Sequence, residues 1–304
     1  MPNDTALYRR YHLTAQPYEL SFEPEAGGLV SALRCTVAGR THDILRAPAG
    51  AVASTLAPNR FGLWPLVPFA NRAFGAVVDD GESRFATPVN DPETGSTIHG
   101  FGWQVPWSVT EFGPERIVME HERRDGPDPY RYRARFSVEA TSRAVIFRLG
   151  VTSRAATALP FGIGLHPWFV ADAHTRFQAN TGGALRLGPG YRPVGRFQFD
   201  DGGPFTDPVV LDPDRETAWS FTDWDGAAML LDPMRGLRIV VTASPTLRQP
   251  VLWAPPAADF LCFEPQSHGI GAPSDAAGRA ATPLVRLEPG QSMIGSMRIS
   301  VLPM

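Results

Sequence analysis

Apolar and polar residues alternate with a period of two along several stretches of this 304-residue chain. The clearest stretch is 131–139, in which four apolar residues alternate with arginine and other polar residues. This period is typical of an antiparallel strand with one buried face. Similar or shorter runs predict further strands at 18–22, 29–37, 116–120, 144–152, 227–231, 237–243, 250–253, 260–263 and 297–301.

Helical patterns are weak by comparison. No long segment has apolar residues at i, i+3, i+4 and i+7 without Pro or Gly, so we expect helices of one or two turns at most. The 30 Pro and 29 Gly residues fall largely between the predicted strands, as the turns of a many-stranded sheet require. Residues 188–214 are predicted to form a long loop or excursion, and not a domain boundary. The pattern favours an all-β fold with two large packed antiparallel sheets, in a single domain spanning 1–304.

Composition narrows the classes of function. Hydrophobic residues make up 43% and charged residues 19% of the chain, which is typical of a globular protein. A formal net charge of -3 provides no basic field for nucleic acid, and no apolar run approaches the ~20 residues of a membrane span. Cys35 and Cys262 each lie in an apolar strand-like run, so we expect reduced buried thiols and a cytoplasmic location.

Two segments carry groups suited to binding a polyhydroxylated ligand. The first, 64–72, is an apolar run that ends in Asn71 and Arg72, whose amide and guanidinium can bond vicinal hydroxyls. The alternative is an arginine paired with an aspartate at a sheet end. The second, 98–103, has His99 followed by two glycines and two aromatic residues, which would admit a ligand closely and offer flat apolar faces. The alternative there is a turn with a structural histidine.

Two further segments carry a candidate acid and a candidate base. His166 lies between Leu165 and Pro167, and a partly desolvated imidazole is well matched to proton transfer near neutral pH. A satisfied core histidine is the alternative. Glu264 ends an apolar strand, where burial would raise its pKa towards the range of a general base. A structural ion pair is the alternative for Glu264, and His268 either orients it or caps the turn.

Other chemistries fit less well. The histidines and cysteines lack ligand spacings such as H-x-x-x-H or C-x-x-C, and no G-x-S-x-G motif occurs. Gly269 and Gly271 begin like a dinucleotide fingerprint, but Ser274 stands where the third glycine is required. We therefore expect neither a metal nor a cofactor.

Taken in order, the N-R, H-G-F, G-L-H-P and E-P motifs of these four segments resemble the aldose 1-epimerase (galactose mutarotase) family, most closely its bacterial hexose mutarotase members. The resemblance runs from about residue 20 to the C-terminus and includes a turn at 287–292. It implies a β-supersandwich with a sugar in an open cleft. It also implies Glu264 as general base, His166 as general acid, and Asn71, Arg72 and His99 as substrate contacts.

The sequence departs from the family at two positions. Ala218 aligns with an aspartate that binds a sugar hydroxyl in the family, and Asp212 or Asp223 is a possible substitute. The family's glutamine in a later strand is absent, with Val251 or Trp253 near that position. These changes concern the preference for a hexose more than the acid–base pair.

The resemblance implies an isomerase that interconverts the α and β anomers of a free galactose- or glucose-like hexose. A base takes the anomeric hydroxyl proton while an acid, expected on the opposite side of the ring, protonates the ring oxygen. Two alternatives share the fold: a hexose-6-phosphate 1-epimerase and a non-catalytic carbohydrate-binding module. The expected partner is a small sugar, and the sequence leaves a monomer or a homodimer open.

Overall fold

The computed structural model describes residues 8–48 and 61–304, and β-strands dominate them. The strands in chain order are β1 (Tyr11–Ala15), β2 (Tyr18–Glu23), β3 (Leu29–Val37), β4 (Arg40–Asp43), β5 (Leu63–Leu66), β6 (Arg72–Ala73), β7 (Val77–Asp79), β8 (Arg84–Ala86), β9 (Thr97–Ile98), β10 (Ser108–Phe112), β11 (Arg116–Arg123), β12 (Tyr132–Ala140), β13 (Val145–Ser153), β14 (Leu159–Phe161), β15 (Gly164–Val170), β16 (Arg176–Leu187), β17 (Pro193–Gln198), β18 (Val209–Val210), β19 (Thr217–Asp232), β20 (Leu237–Ala243), β21 (Val251–Ala254), β22 (Phe260–Glu264), β23 (Val285–Leu287) and β24 (Ser292–Pro303).

Helices are short, as predicted. The α-helix α1 covers Ala276–Ala281, and its first turn is capped by Asp275, whose carboxylate accepts a hydrogen bond from the backbone N–H of Ala277. The remaining helical turns of the described residues are 3₁₀ turns at Phe74–Ala76, Gly102–Gln104, Pro189–Tyr191 and Pro245–Leu247.

Each run predicted as a strand overlaps an observed strand, and three of the runs, 131–139, 144–152 and 250–253, begin one residue before it. The bounds of β3 and β20 match the prediction to the residue. The prediction of a long loop or excursion over 188–214 fits most of these residues but misses two short strands, because β17 pairs with one end of β16 and β18 pairs with the other end of β16. Most residues of β17 and β18 are exposed, so these edge strands have no buried face to impose an alternation of apolar and polar residues.

The long strand β19 is the point at which the sheet branches. One edge of β19 pairs with β16. On the other edge, its first half pairs with β21 and its second half with β20. The β21 branch continues through β22, β15, β5, β3 and β2 to β1, and the β20 branch through β24, β13, β12 and β11 to β10. All these pairings are antiparallel. Because both branches start from β19, the two layers of the predicted sandwich are arms of one hydrogen-bonded sheet.

The two arms pack against each other through a large apolar core. That core includes Leu20 and Leu33 from the β21 branch and Phe136 and Phe147 from the β20 branch, all of them fully or almost fully buried. A polar contact also joins the arms, because the hydroxyl of Tyr18 accepts a hydrogen bond of 3.0 Å from the backbone N–H of Val301.

The predicted state of the cysteines agrees with the structure. Cys35 and Cys262 are free and buried, and burial raises the pKa of Cys35 to about 11. Across the described ranges, no helix combines the length and apolar character needed to cross a bilayer. The predicted single domain of 1–304 includes residues 1–7 and 49–60, which lie outside the described residues.

Candidate active site

The register of two strands brings the candidate acid and base together. β15 and β22 run antiparallel with Trp168 opposite Cys262. Two residues further along, His166 faces Glu264, and Nε2 of His166 lies 3.4 Å from Oε1 of Glu264. Both residues are buried, with 7% and 3% of their surfaces exposed. The imidazole and the carboxyl group are therefore direct neighbours.

This pair lies in a hollow with a volume of about 260 Å³. Asn71, Arg72 and His99 line the same hollow, so the structure brings together all the residues predicted for the site. The expectation that the acid and the base lie on opposite sides of the sugar ring is wrong, because His166 and Glu264 are adjacent and occupy facing positions on neighbouring strands. The rest of the lining is mostly apolar or aromatic: Ile98, Trp168, Leu187, Tyr191, Ala218, Trp219, Val251, Trp253 and Ile270.

Asn71 and His99 hold each other in position. Both have left-handed backbone conformations, with φ of 54° and 58°. The backbone N–H of His99 donates to the carbonyl oxygen of Asn71 at 2.9 Å, and the backbone N–H of Asn71 donates to Nδ1 of His99 at 3.1 Å. Burial, together with the neighbouring His166, keeps the pKa of His99 well below its usual range. Since Nδ1 accepts, the proton of the neutral ring is on Nε2, which makes His99 a hydrogen-bond donor there.

The glycines and aromatic residues after His99 serve packing and not ligand contact. A Cβ on Gly100 would lie 2.3 Å from the carbonyl oxygen of Val67, and one on Gly102 would lie 2.4 Å from the Val67 side chain. Phe101 and Trp103 are buried, and neither lines the hollow. The expectation that they offer faces to a sugar is therefore wrong, because this turn packs against the segment of Val67.

Glu264 is held by a residue that the sequence did not single out. Nε2 of Gln266, a fully buried side chain, donates a 2.8 Å hydrogen bond to Oε2 of Glu264. Burial raises the pKa of Glu264 to about 8, and this hydrogen bond and Arg72 oppose the rise because they favour the carboxylate.

Burial acts on His166 in the opposite direction and lowers its pKa to about 3. Its ring stacks on Trp168, with 5.4 Å between the ring centroids and 10° between the planes. Its Nδ1 is buried and has no hydrogen-bond partner within the described part of the chain. Burial therefore favours the uncharged form of each side chain, the neutral imidazole of His166 and the protonated carboxyl group of Glu264.

His268 is structural. Its Nε2 accepts a 3.0 Å hydrogen bond from the backbone N–H of Ala70, and its Nδ1 lies 3.0 Å from the carbonyl oxygen of Gly269. Both ring nitrogens are satisfied if Nδ1 carries the proton. The side chain is fully buried, and its hydrogen bonds go to the backbone and not to Glu264. His268 thus connects the segment before Asn71 to the loop after β22.

Arg72 combines the two roles weighed from the sequence. Its Nε lies 3.4 Å from Oδ2 of Asp91, which is the ion pair expected of a structural arginine. The guanidinium also lines the hollow and lies over the ring of Tyr191, 5.2 Å from its centroid. Asp91 and Tyr191 therefore orient a cationic group that remains accessible to a ligand.

Ala218 stands where the family carries an aspartate, and neither Asp212 nor Asp223 takes the place of that aspartate. Ala218 lines the hollow, but Asp212 and Asp223 do not. Oδ2 of Asp223 accepts a 2.5 Å hydrogen bond from Arg196, and Oδ1 of Asp212 accepts one from the backbone N–H of Asp214. The hollow therefore has an apolar methyl group at this position.

Sequence reasoning missed Tyr191, and it named Trp253 only as a residue near the position of the family's glutamine, not as part of the aromatic wall that these residues form. Tyr191 and Trp253 line the hollow together with Trp168. The Tyr191 hydroxyl and Nε1 of Trp253 both donate to Oε1 of Glu216, at 2.5 Å and 2.9 Å. Tyr191 falls within the segment predicted to be a loop, and nothing local in the sequence indicates that Glu216 joins it to Trp253.

His99, His166 and Glu264 meet the geometric requirement of a metal site, because one ligand atom from each lies within 4.8 Å of the others. The tautomer of His99 opposes this use. Its Nδ1 lone pair is taken by the backbone N–H of Asn71, so a metal would have to break that hydrogen bond or bind an imidazolate. The arrangement is better suited to proton transfer.

The large antiparallel sheet that branches at β19 has the galactose mutarotase-like fold. The chain belongs to the aldose 1-epimerase family, which matches residues 31–300. It is 31% identical to the Escherichia coli K12 protein YphB over 248 residues, which cover 78% of this chain and 83% of YphB.

Solved structures have the same fold. A candidate aldose 1-epimerase from Escherichia coli K12 is 25% identical and superposes with a TM-score of 0.83, covering 97% of this chain and 99% of that one. A galactose mutarotase-like protein from Clostridium acetobutylicum, 20% identical, has a TM-score of 0.84 and covers 98% of this chain and 96% of its own. These similarities agree with the fold and family expected from the sequence motifs.

Proposed function

We propose that this protein is an aldose 1-epimerase that interconverts the α and β anomers of a free aldose. The observation that carries the proposal is the 3.4 Å separation between Nε2 of His166 and Oε1 of Glu264 inside one hollow. Membership of the aldose 1-epimerase family supports an isomerase of this type.

The adjacency of the two groups suits the reaction. The anomeric hydroxyl oxygen and the ring oxygen are bonded to the same carbon, C1, so an acid and a base that serve them must be neighbours. The base takes the proton of the anomeric hydroxyl, and the C1 to ring-oxygen bond breaks with its electron pair going to the ring oxygen. The acid then protonates that oxygen and leaves an open-chain aldehyde. Rotation about C1–C2 and the reverse steps give the other anomer.

One proton on the pair satisfies this cycle. With Glu264 as base and His166 as acid, the active form is a carboxylate beside an imidazolium. It differs from the resting form only in the position of the shared proton. A sugar hydroxyl that donates to Glu264 stabilises the carboxylate, and the proton then moves to His166. Each such proton transfer typically contributes ~10²–10⁴-fold to the rate.

The lining of the hollow favours an unphosphorylated sugar. Among the described residues that line it, Arg72 is the one arginine, and it is also paired with Asp91. A hexose 6-phosphate would need further cationic groups at the rim. Asn71 and the Nε2–H of His99 are better suited to neutral hydroxyls, for which they supply a carbonyl acceptor and N–H donors.

Polarimetry on freshly dissolved aldoses tests the proposal. The wild-type protein should accelerate the change in rotation of at least one free aldose, and Glu264→Gln should remove that acceleration while the circular dichroism spectrum stays the same. Glucose 6-phosphate should react more slowly than glucose. Sugar binding in a calorimeter without any acceleration would instead support a carbohydrate-binding module and contradict the enzymatic proposal.

A further inference from the structure

Two of the three residues in the aromatic wall of the hollow are not fixed by burial. Trp168 is buried, and its ring stacks on that of His166. Tyr191 and Trp253 are half-buried, so part of each side chain lies in solvent. Because a partly solvated side chain has fewer packing neighbours to select one rotamer, the orientation of these two rings needs a further cause.

That cause is a single carboxylate oxygen. Oε1 of Glu216 accepts hydrogen bonds from the hydroxyl of Tyr191 at 2.5 Å and from Nε1 of Trp253 at 2.9 Å. Glu216 comes two residues before Ala218, which lines the hollow and lies opposite Trp253 on the neighbouring strand. At this spacing the side chains of an extended chain point to the same side, which places the exposed Glu216 at the rim. Because hydrogen bonds to an ionised acceptor are strong, neither ring can turn away without a loss.

The backbone of Tyr191 is a second reason for the ring to depend on Glu216. It is left-handed, with φ of 64°, a conformation that non-glycine residues rarely adopt and that persists only where the surroundings hold it. The Tyr191 side chain is held by its hydrogen bond to Glu216 and by the guanidinium of Arg72, which lies over the ring. Through Tyr191, therefore, Glu216 also supports the cationic group of the lining.

We propose that Glu216 is a positioning residue for sugar binding, which acts through Tyr191 and Trp253. The inference rests on the proposed function, because it takes the ligand of the hollow to be an aldose. Rings that are already oriented lose little conformational freedom when a sugar packs against them. Without the carboxylate, both rings gain rotamers in the free protein and have to be ordered again each time a sugar binds.

Two variants of Glu216 test this role. Glu216→Leu removes the acceptor, whereas Glu216→Gln keeps a side-chain oxygen that can accept from both rings. For the aldose that reacts fastest, we expect KM and the calorimetric Kd to rise about fivefold or more in Glu216→Leu, with kcat changing less than about twofold. Glu216→Gln should restore most of the affinity. An unchanged KM in Glu216→Leu, or a Gln variant as weak as the Leu variant, would overturn the proposal.

The split between KM and kcat separates positioning from mere stabilisation. A loss of folded protein would lower the apparent kcat and leave KM constant, so that result would also overturn the proposal. Glu115→Leu is the matched control, because it removes the same charge from an exposed residue in the turn between β10 and β11 that does not line the hollow. KM and kcat should both stay at the wild-type values in this control.

A double-mutant cycle tests whether the effect passes through Tyr191. Tyr191→Phe keeps the ring and removes the hydroxyl that donates to Glu216. The increase in KM caused by Glu216→Leu should be smaller in the Tyr191→Phe background than in the wild type, because one of the two hydrogen bonds is already absent. Equal increases in the two backgrounds would overturn the action through Tyr191.

The orientation of Trp253 can be observed without any sugar. In protein labelled with 5-fluorotryptophan, the fluorine resonance of Trp253 is the one missing from Trp253→Phe. It should shift or broaden in Glu216→Leu and stay in place in Glu216→Gln. An unchanged resonance in Glu216→Leu would overturn the positioning role and leave the epimerase function intact. Failure of the wild type to accelerate mutarotation of any aldose would overturn the epimerase function, while the resonance and the calorimetric Kd would still test Glu216.

Discussion

Gln266 donates a 2.8 Å hydrogen bond from its side-chain amide to Oε2 of Glu264, and both side chains are buried. The other carboxyl oxygen, Oε1, faces Nε2 of His166. One carboxyl oxygen is therefore held by an amide, and the other lies beside an imidazole. Because an amide N–H favours the carboxylate over the acid, the hydrogen bond from Gln266 opposes the rise that burial causes in the pKa of Glu264.

Replacing Gln266 tests this positioning role. In Gln266→Leu, we expect the carboxylate form to be less populated, so kcat should fall by about tenfold for each unit by which the pKa of Glu264 rises. The alkaline limb of the rate–pH profile should move to higher pH. If Gln266 only stabilised the fold, its replacement by leucine would lower the rate without moving the alkaline limb. Gln249→Leu, a change in a neighbouring glutamine, serves as the control and should leave the limb unchanged.

The pH dependence of activity follows from the pair holding one proton. The pKa of His166 is about 3 and the pKa of Glu264 is about 8. Between these two pH values, the pair taken as a unit is expected to bind one proton. We expect a plateau of kcat across neutral pH and a fall above about pH 8, measured by polarimetry with corrections for the uncatalysed reaction. An unchanged rate through pH 10 would contradict the assignment of the proton to this pair.

Glu264 should also affect the pH dependence of stability. Its pKa is raised from 4.5 to about 8 on folding, so between these values the folded state binds the proton that the unfolded state releases. The free energy of unfolding contributed by this group therefore falls as pH rises through that window, by at most about 1.4 kcal/mol per pH unit. Glu264→Gln removes this loss.

The measurement is a series of denaturant unfolding curves at pH 5, 7 and 9. Relative to the wild type, the Glu264→Gln variant should become progressively more stable as pH increases. A difference between the two proteins that stays constant from pH 5 to pH 9 would show that the carboxyl group is not perturbed by burial in the folded state.

His166 and His268 should respond differently to substitution although both are buried. His166→Asn should lose most activity and remain folded. His268→Leu should lose stability, because the backbone N–H of Ala70 is left without its acceptor, at a cost of about 1–3 kcal/mol. Urea unfolding and polarimetry on both variants check the contrast. A stable His268→Leu protein would argue against the structural role of that imidazole.

Arg72→Ala should mainly weaken sugar binding. The guanidinium lines the hollow but is not part of the acid–base pair, so we expect KM to rise by about tenfold or more while kcat changes less. Arg84→Ala, a change in an exposed arginine paired with Asp79, is the control. A large fall in kcat with an unchanged KM would instead indicate that Arg72 acts on the transition state.

The alternation of apolar and polar residues predicts a strand correctly where that strand has one buried face. The alternation in 131–139 predicts β12, because side chains on a strand point in turn to core and solvent. It fails for β17, an edge strand that has mostly exposed residues on both faces. The order of short motifs was similarly sufficient to predict the family and the five residues that meet in the hollow.

What the sequence by itself determined, therefore, is the all-β fold and the family, and from the family came the prediction that Glu264 and His166 exchange a proton with the sugar. The tertiary structure alone decided that they are adjacent, that Gln266 orients one of them, and that Glu216 occupies the polar atoms of Tyr191 and Trp253. The physical reason is that periodicity reports which way a side chain points within its own strand. The neighbours across a sheet depend on the register of strands that are distant in sequence.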